Sequence, residues 1–319
     1  MKEILVHIGY HKTGSTWLQK ELFSAKSRHF VPLSWDEDKQ SSLARLLYAD
    51  QSGQLLSPFD HNTEQVNQEL QKIITSGIHD FTNKNWVISR ERLSGHPSSG
   101  GFDALAIAER ISTNFDKPKV LIMIREQKSA ILSHYFQYLQ EGGTFSLKKM
   151  LTTHYDDFRP YFSKNYLKYD GLIKHYQQLF GEDHVLVLPY EIFKHQPEIF
   201  FDRLGKYVDL DLSGYAKKAS EKIVNKKSYH FSKYHLRALN VLINKNSYTN
   251  YSFWSNFITR KLAKFFILTF GLLTSPLDKR LKTRLQNEID NLIGDYYVPS
   301  NEKLKKLLPD LDFSKYNYF

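Results

Sequence analysis

The stretch Ile4-Leu5-Val6-His7-Ile8-Gly9-Tyr10-His11-Lys12-Thr13-Gly14-Ser15-Thr16-Trp17-Leu18 decides the fold. Its first five residues make a short, nearly continuous apolar run, the pattern of a strand buried on both faces. A glycine-bearing loop follows, and then Trp17, Leu18 and Leu22 recur at helical spacing. Strand, glycine loop and helix in that order point backbone N–H groups at a phosphate. Gly14, Ser15 and Thr16 add N–H and O–H donors. The loop departs from G-x-x-x-x-G-K-[ST], which would place lysine at position 15. Ser15 stands there instead, and the lysine is Lys12, whose ammonium is presented to a different atom.

Outward from this stretch, three more apolar runs read as strands: Trp86-Val87-Ile88, Val120 to Ile124, and Val185 to Leu188. Helical patterns separate them. Val66, Leu70, Ile73, Ile74 and Ile78 keep one face, with Asn62 or Thr63 placed to cap. Leu105, Ala108, Ile111 and Phe115 keep another, and Leu172, Ile173, Tyr176, Leu179 and Phe180 a third, stopped by Gly181. Apolar strands alternating with helices predict an α/β fold: a P-loop-like parallel sheet flanked by helices. After about residue 197 the chain reads as helical. Pro197 suits a helix start, and Leu277, Leu281, Leu285, Ile289 and Leu292 run down a late helix. The expected organisation is a core over 1–230 and a helical C-terminal extension over 231–319, packed on the same domain.

Composition sets bounds. Of 319 residues 41% are hydrophobic and 24% charged, a globular balance that excludes a disordered chain. No apolar run approaches the ~20 residues of a transmembrane helix. Met1-Lys2-Glu3 leads straight into the first strand without a signal-peptide pattern, so a cytoplasmic location is the expectation. With no cysteine there is no disulfide, thiolate nucleophile or Cys-ligated zinc, and no histidine spacing marks a metal site. The net charge is +10, and the segment from Tyr215 to Lys264, with nine Lys, two Arg and one Glu, accounts for all of it. That segment also holds nine aromatics. It suits an anionic ligand, a sugar chain, a membrane surface or a nucleic acid, and equally a solvated helical face with some core aromatics.

An ordinary NTPase also needs a strand-end Asp for magnesium, and the strand ends read Ser89-Arg90-Glu91, Arg125 and Pro189-Tyr190-Glu191. The segment from His7 to Gln19 resembles the 5′-phosphosulfate loop of the sulfotransferase family. That family uses 3′-phosphoadenosine 5′-phosphosulfate (PAPS) on a P-loop-like fold. Its loop is typically Pro-Lys-[Ser/Thr]-Gly-[Thr/Ser]-[Thr/Ser]-[Trp/Ser]-Leu, and His11 stands where proline is common. The resemblance makes Lys12 the catalytic lysine and assigns Thr13, Gly14, Ser15 and Thr16 to the 5′-phosphate.

The third strand supplies a second anchor. In the family this strand ends in Arg, a Ser follows eight residues later, and both bind the 3′-phosphate; Arg125 and Ser133 match. The position is sensible in itself, since Arg at a strand's carboxyl end faces the crevice where α/β proteins bind ligands. A helix from about Gln127 would set Ser129 and Ser133 one turn apart. Taken alone, Arg125 reads as well as a surface ion pair. Tyr190-Glu191 resembles a family strand end with a structural role. Lys227, in Asn225-Lys226-Lys227-Ser228, sits where members close a basic loop over the cofactor. Together the matches span about residues 4 to 230.

Glu91, at the end of the second strand, is where carbohydrate-type members carry a glutamate base. His96 is the alternative base, and pairing with Arg90 or Arg92 is the competing reading of Glu91. The resemblance implies in-line transfer of a sulfuryl group from PAPS to an acceptor hydroxyl or amine, with no metal required and 3′-phosphoadenosine 5′-phosphate (PAP) released. The expected acceptor is a carbohydrate or glycolipid, in a bacterial cytoplasmic enzyme, with a small phenol or alcohol as the open alternative. The apolar run 265–273, with flanking Lys and Arg, allows peripheral contact at the membrane inner face, although a buried helix reads it as well. Two other readings stay open: an atypical P-loop kinase or NTPase, and a basic non-enzymatic protein that binds nucleic acid or membrane.

Overall fold

Each of the four apolar runs is a strand, and the chain adds short ones beside them. A computed structural model describes residues 3–33, 42–76, 84–97, 100–152, 154–156, 159–160, 162–224, 230–243 and 276–319. Lys227 and the apolar run 265–273 lie outside the described residues. The strands are β1 (Ile4–Gly9), β2 (Phe30–Pro32), β3 (Asn85–Ser89), β4 (Lys119–Ile124), β5 (His154–Asp156), β6 (Arg159–Pro160) and β7 (Val185–Pro189). Five form one sheet in the order β2-β3-β1-β4-β7, and every pairing in it is parallel. β5 and β6 form a separate antiparallel ladder. The sheet is the expected α/β one, with β2 and the β5–β6 ladder as unforeseen additions.

The helices are α1 (Ser15–Trp17), α2 (Ser42–Leu46), α3 (Thr63–Thr75), α4 (Ala104–Asn114), α5 (Gln127–Gln140), α6 (Leu147–Thr152), α7 (Tyr169–Phe180), α8 (Tyr190–His195), α9 (Pro197–Val208), α10 (Ser213–Val224), α11 (His230–Ile243), α12 (residues 276–293) and α13 (Val298–Leu307). Beyond residue 197 the described secondary structure is helical, as expected. Pro197 opens α9, and Gly181, at φ +91°, ends α7. Asn62 holds the N-cap position of α3, but its side chain makes no cap bond there and donates instead to the Leu46 carbonyl at 3.3 Å. α1 continues as a π-helical turn over Leu18–Leu22.

The chain forms two compact units. The first takes Met1–Glu126, Ser163–Val224 and Val298–Phe319. It holds the parallel sheet, whose central strands bury Leu5, Val6, Ile8 and Val120 to Ile124 almost completely. α7 packs on β4 and β7, and α9 on β7 and α10. The second takes Gln127–Phe162 and Asn225–Tyr297. There α11 lies against α5, and the buried Asn240 amide donates to the carbonyls of Leu139 and Gly143 at 2.8 and 2.9 Å. α12 buries a stripe of Leu281, Leu285, Ile289 and Ile293. Among the described residues no helix is long and apolar enough to cross a membrane.

Strand register positions the chemistry. His7 of β1 lies beside Ser89 of β3, and Gly9 of β1 beside Met123 of β4. The carboxyl ends of β3, β1 and β4 are therefore neighbours. They lie where the chain order reverses about β1, the place where α/β sheets open a ligand crevice.

Candidate functional site

The glycine loop leaves β1 under tight backbone control. The Tyr10 N–H donates to the Met123 carbonyl at 3.0 Å, and the Thr13 hydroxyl donates to the Tyr10 carbonyl at 2.6 Å. Lys12 and Gly14 both adopt the left-handed region, at φ 71° and 91°. The Lys12 value is uncommon for a residue with a side chain. Gly14 begins α1 and accepts from the Trp17 N–H at 2.9 Å, with no side chain capping the helix. The Ser15 and Thr16 N–H groups, ahead of that bond, have no intrahelical acceptor and lie at the positive end of the helix dipole. Thr13 and Ser15 are buried, Thr16 is exposed, and the buried Ser15 Oγ has no partner. A Cβ on Gly14 would sit 3.1 Å from the Phe193 ring and 3.3 Å from Tyr190.

Arg125, directly after β4, reaches this loop. Its Nη1 donates to the Lys12 carbonyl at 3.0 Å, and its guanidinium lies 4.8 Å from the centre of the Tyr190 ring. The Tyr169 hydroxyl donates to the Arg125 carbonyl at 2.6 Å. Arg125 thus fixes the left-handed Lys12 peptide, a contact across 113 positions that sequence reading did not anticipate. Tyr190-Glu191 also takes up contacts at this corner. The Glu191 carboxylate accepts from the Glu126 N–H at 3.2 Å and from the Tyr318 hydroxyl at 3.3 Å. Burial is the first reason its carboxyl is raised above the ordinary range, opposed by bonds from the backbone N–H groups of Glu191 and Glu126 and by the charge of Arg125.

Glu91 opens a 3-10 turn, Glu91–Ser94, immediately beyond β3 and is half-buried. Ser94 braces the turn, with its hydroxyl bonded to the Glu91 carbonyl and the Tyr166 hydroxyl, both at 2.7 Å. The competing pairing with Arg92 is not made: Arg92 is paired with Asp103 and lies over the Tyr48 ring. His96 is exposed, with its ring 6.2 Å from that of His11. His11 is lowered to about 3, by burial first and then by nearby His96, Arg92 and Lys12.

The parallel register thus brings Lys12, Thr13, Gly14, Ser15, Thr16, Glu91 and Arg125 to the carboxyl ends of three adjacent strands. Ser133 lies on α5 in the second unit, half-buried. Sequence reading passed over His7. It is fully buried, its Nδ1 lies 2.7 Å from Ser89 Oγ, and burial lowers it to about 3. The available signal was one imidazole in an otherwise apolar strand, since a buried polar group needs a partner.

No curated protein sequence matches the chain. Among solved structures, a sulfotransferase from Alicyclobacillus acidocaldarius is 14% identical, with a TM-score of 0.48 over 72% of this chain and 98% of its own. The mouse sulfotransferase SULT7A1, complexed with PAP, is 12% identical, with a TM-score of 0.40 over 95% of this chain and 89% of its own. At such scores the structural likeness carries no weight by itself. The match to the family does: the sulfotransferase domain aligns with residues 2–266, including the glycine loop, the 3-10 turn after β3 and the end of β4, and the chain belongs to the sulfotransferase domain family.

Proposed function

We propose that this chain is a PAPS-dependent sulfotransferase acting on a hydroxyl or amine of a carbohydrate or glycolipid. One observation carries the reading: Arg125 holds the carbonyl of a left-handed Lys12 at the mouth of a loop whose helix N-terminus is uncapped. The loop fits a phosphate. Ser15 Oγ is buried without a partner, and Gly14 leaves out a side chain that would press on Phe193. Bound PAPS supplies the sulfuryl group and leaves as PAP. Thr13 to Thr16 hold the 5′-phosphate through N–H and O–H donors. Arg125 meets the 3′-phosphate through its guanidinium. Ser133 and Lys227 enter the proposal through the family resemblance alone.

Glu91 takes the acceptor proton, the work of a carboxylate general base at the crevice. Lys12 places its ammonium beside the oxygen on which negative charge gathers. The positive excess of the 215–264 segment favours an anionic acceptor and a site on the cytoplasmic side of a membrane.

The test is calorimetric titration with PAP, and with ATP plus magnesium as control, on wild type and Lys12→Ala, followed by transfer of label from PAPS to a panel of glycans and phenols. Metal-independent PAP binding, and label transfer that Lys12→Ala abolishes, are the expected results. Binding of ATP with magnesium alone overturns the proposal.

A further inference from the structure

His7 is the one polar side chain of β1 and is fully buried. One face of its ring lies against Phe23, with ring centres 5.4 Å apart. Its Nδ1 is 2.7 Å from Ser89 Oγ on the neighbouring strand, and its Nε2 is buried with no partner. Ser15 Oγ, at the start of α1, is also buried with no partner. Both atoms border one spot. The point where Gly9 would carry a Cβ is 2.2 Å from Ser15 Oγ, 3.1 Å from Thr13 Oγ1 and 3.3 Å from His7 Nε2. The Thr13 proton is committed to the Tyr10 carbonyl, so Thr13 has only lone pairs to offer here. Two orphaned polar atoms across a glycine are costly to bury. They make sense as a set that closes when the loop is loaded, because hydrogen bonds at such sites tighten in the bound complex.

We propose that His7 is a positioning residue for Ser15. The inference rests on the reading of the loop as the 5′-phosphate site. Ser89 donates its hydroxyl proton to His7 Nδ1. The single proton of the neutral imidazole then resides on Nε2 and is donated across Gly9 to Ser15 Oγ. The Ser15 proton is thereby turned outward to the phosphate. No proton changes atoms in this arrangement: three donors, Ser89 O–H, His7 Nε2–H and Ser15 O–H, run in one direction. The other tautomer would make Nε2 an acceptor and draw the Ser15 proton away from the ligand. A chain of aligned donors strengthens each member. Gly9 is required because any side chain there would occupy the gap the bond must cross.

Two measurements test this. The first is the ¹⁵N spectrum of histidine-labelled wild type and Ser15→Ala, each with and without PAP. The expected result is a His7 ring protonated on Nε2 in the complex, with an Nε2 signal that moves on PAP binding in wild type and stays still in Ser15→Ala. The second is PAP affinity across His7→Met, His7→Gln, Ser15→Ala and the His7→Met/Ser15→Ala pair. Loss of the donor in His7→Met weakens PAP about tenfold, whereas His7→Gln, which keeps an N–H, stays within about threefold. His7→Met adds nothing on top of Ser15→Ala. A ring protonated on Nδ1 in the complex, or penalties that simply add, overturns the positioning role while leaving the cofactor reading intact. Failure of wild type to bind PAP sinks the cofactor reading, and this inference with it.

Discussion

Acid should unfold this protein through two histidines beneath and within its glycine loop. His7 is held at about 3 by burial, and His11 at about 3 by burial together with nearby His96, Arg92 and Lys12. In the unfolded chain both titrate near 6.5. Both are neutral in the fold, so the unfolded chain binds more protons as pH falls. The associated stability is complete above about pH 6.5 and is lost progressively down to about pH 3. At pH 5 each imidazole has surrendered roughly 2 kcal/mol, and the pair roughly 4, against a typical total of about 5–15 kcal/mol. Glu191 acts in the opposite sense. Its raised carboxyl costs stability at neutral pH, and that cost relaxes on acidification. The lowered carboxylates Asp50, Asp211 and Asp312 come into play only nearer their own low values, so in the window from pH 7 to 5 the histidines act against Glu191, with His195, also lowered by burial and by Lys194, on their side. Urea unfolding across that window, on wild type and His7→Gln, is the assay. The expected outcome is a wild-type loss of about 4 kcal/mol, of which His7→Gln removes about half. A variant that declines as steeply as wild type would refute the assignment of His7 as a neutral buried group.

Four other outcomes follow from the geometry. Arg125→Ala frees the Lys12 carbonyl and ends the stacking on Tyr190; about 2 kcal/mol of stability should go, with at least tenfold in PAP affinity, and calorimetry on the variant reads both if protein unfolding is followed separately. Glu91→Gln should lower kcat by about 10²–10⁴ with PAP affinity unchanged, which a titration beside steady-state kinetics distinguishes from misfolding. Gly14→Ala forces a side chain into φ 91° against Phe193 and Tyr190 and should cost about 1–2 kcal/mol, visible as a lower thermal midpoint that PAP fails to restore. Arg110, 2% exposed, donates to the carbonyls of Asp60, Leu47 and Ser57; Arg110→Met strands all three and should lose about 3 kcal/mol or more in denaturant unfolding, with PAP affinity little changed in the folded fraction.

Much of the architecture was legible because its signals are local. The apolar runs 4–8, 86–88, 120–124 and 185–188 became β1, β3, β4 and β7, since a strand covered on both faces must be apolar along its length. Pro197 and Gly181 bounded their helices for backbone reasons that neighbours cannot override. β2 escaped notice: three residues at the sheet edge carry too little pattern. The π-helical turn after Trp17 escaped too, because three apolar residues do not distinguish one extra residue in a turn.

By itself, then, the sequence determined the class of fold, the glycine loop after β1, and the candidates Lys12, Glu91 and Arg125, all of which announce themselves by type and place along the chain. Tertiary structure decided what these residues touch. Arg125 meets the Lys12 carbonyl, Arg92 goes to Asp103 and leaves Glu91, and Glu191 is taken by Glu126 and Tyr318. His7 sits beside Ser89 because β1 lies in register with β3, and its Nε2 and Ser15 Oγ both border Gly9 because the chain turns back over its own strand end. Periodicity reports bonds made within about four residues. The partners of a buried polar group are set by register and packing, which no short window of sequence contains.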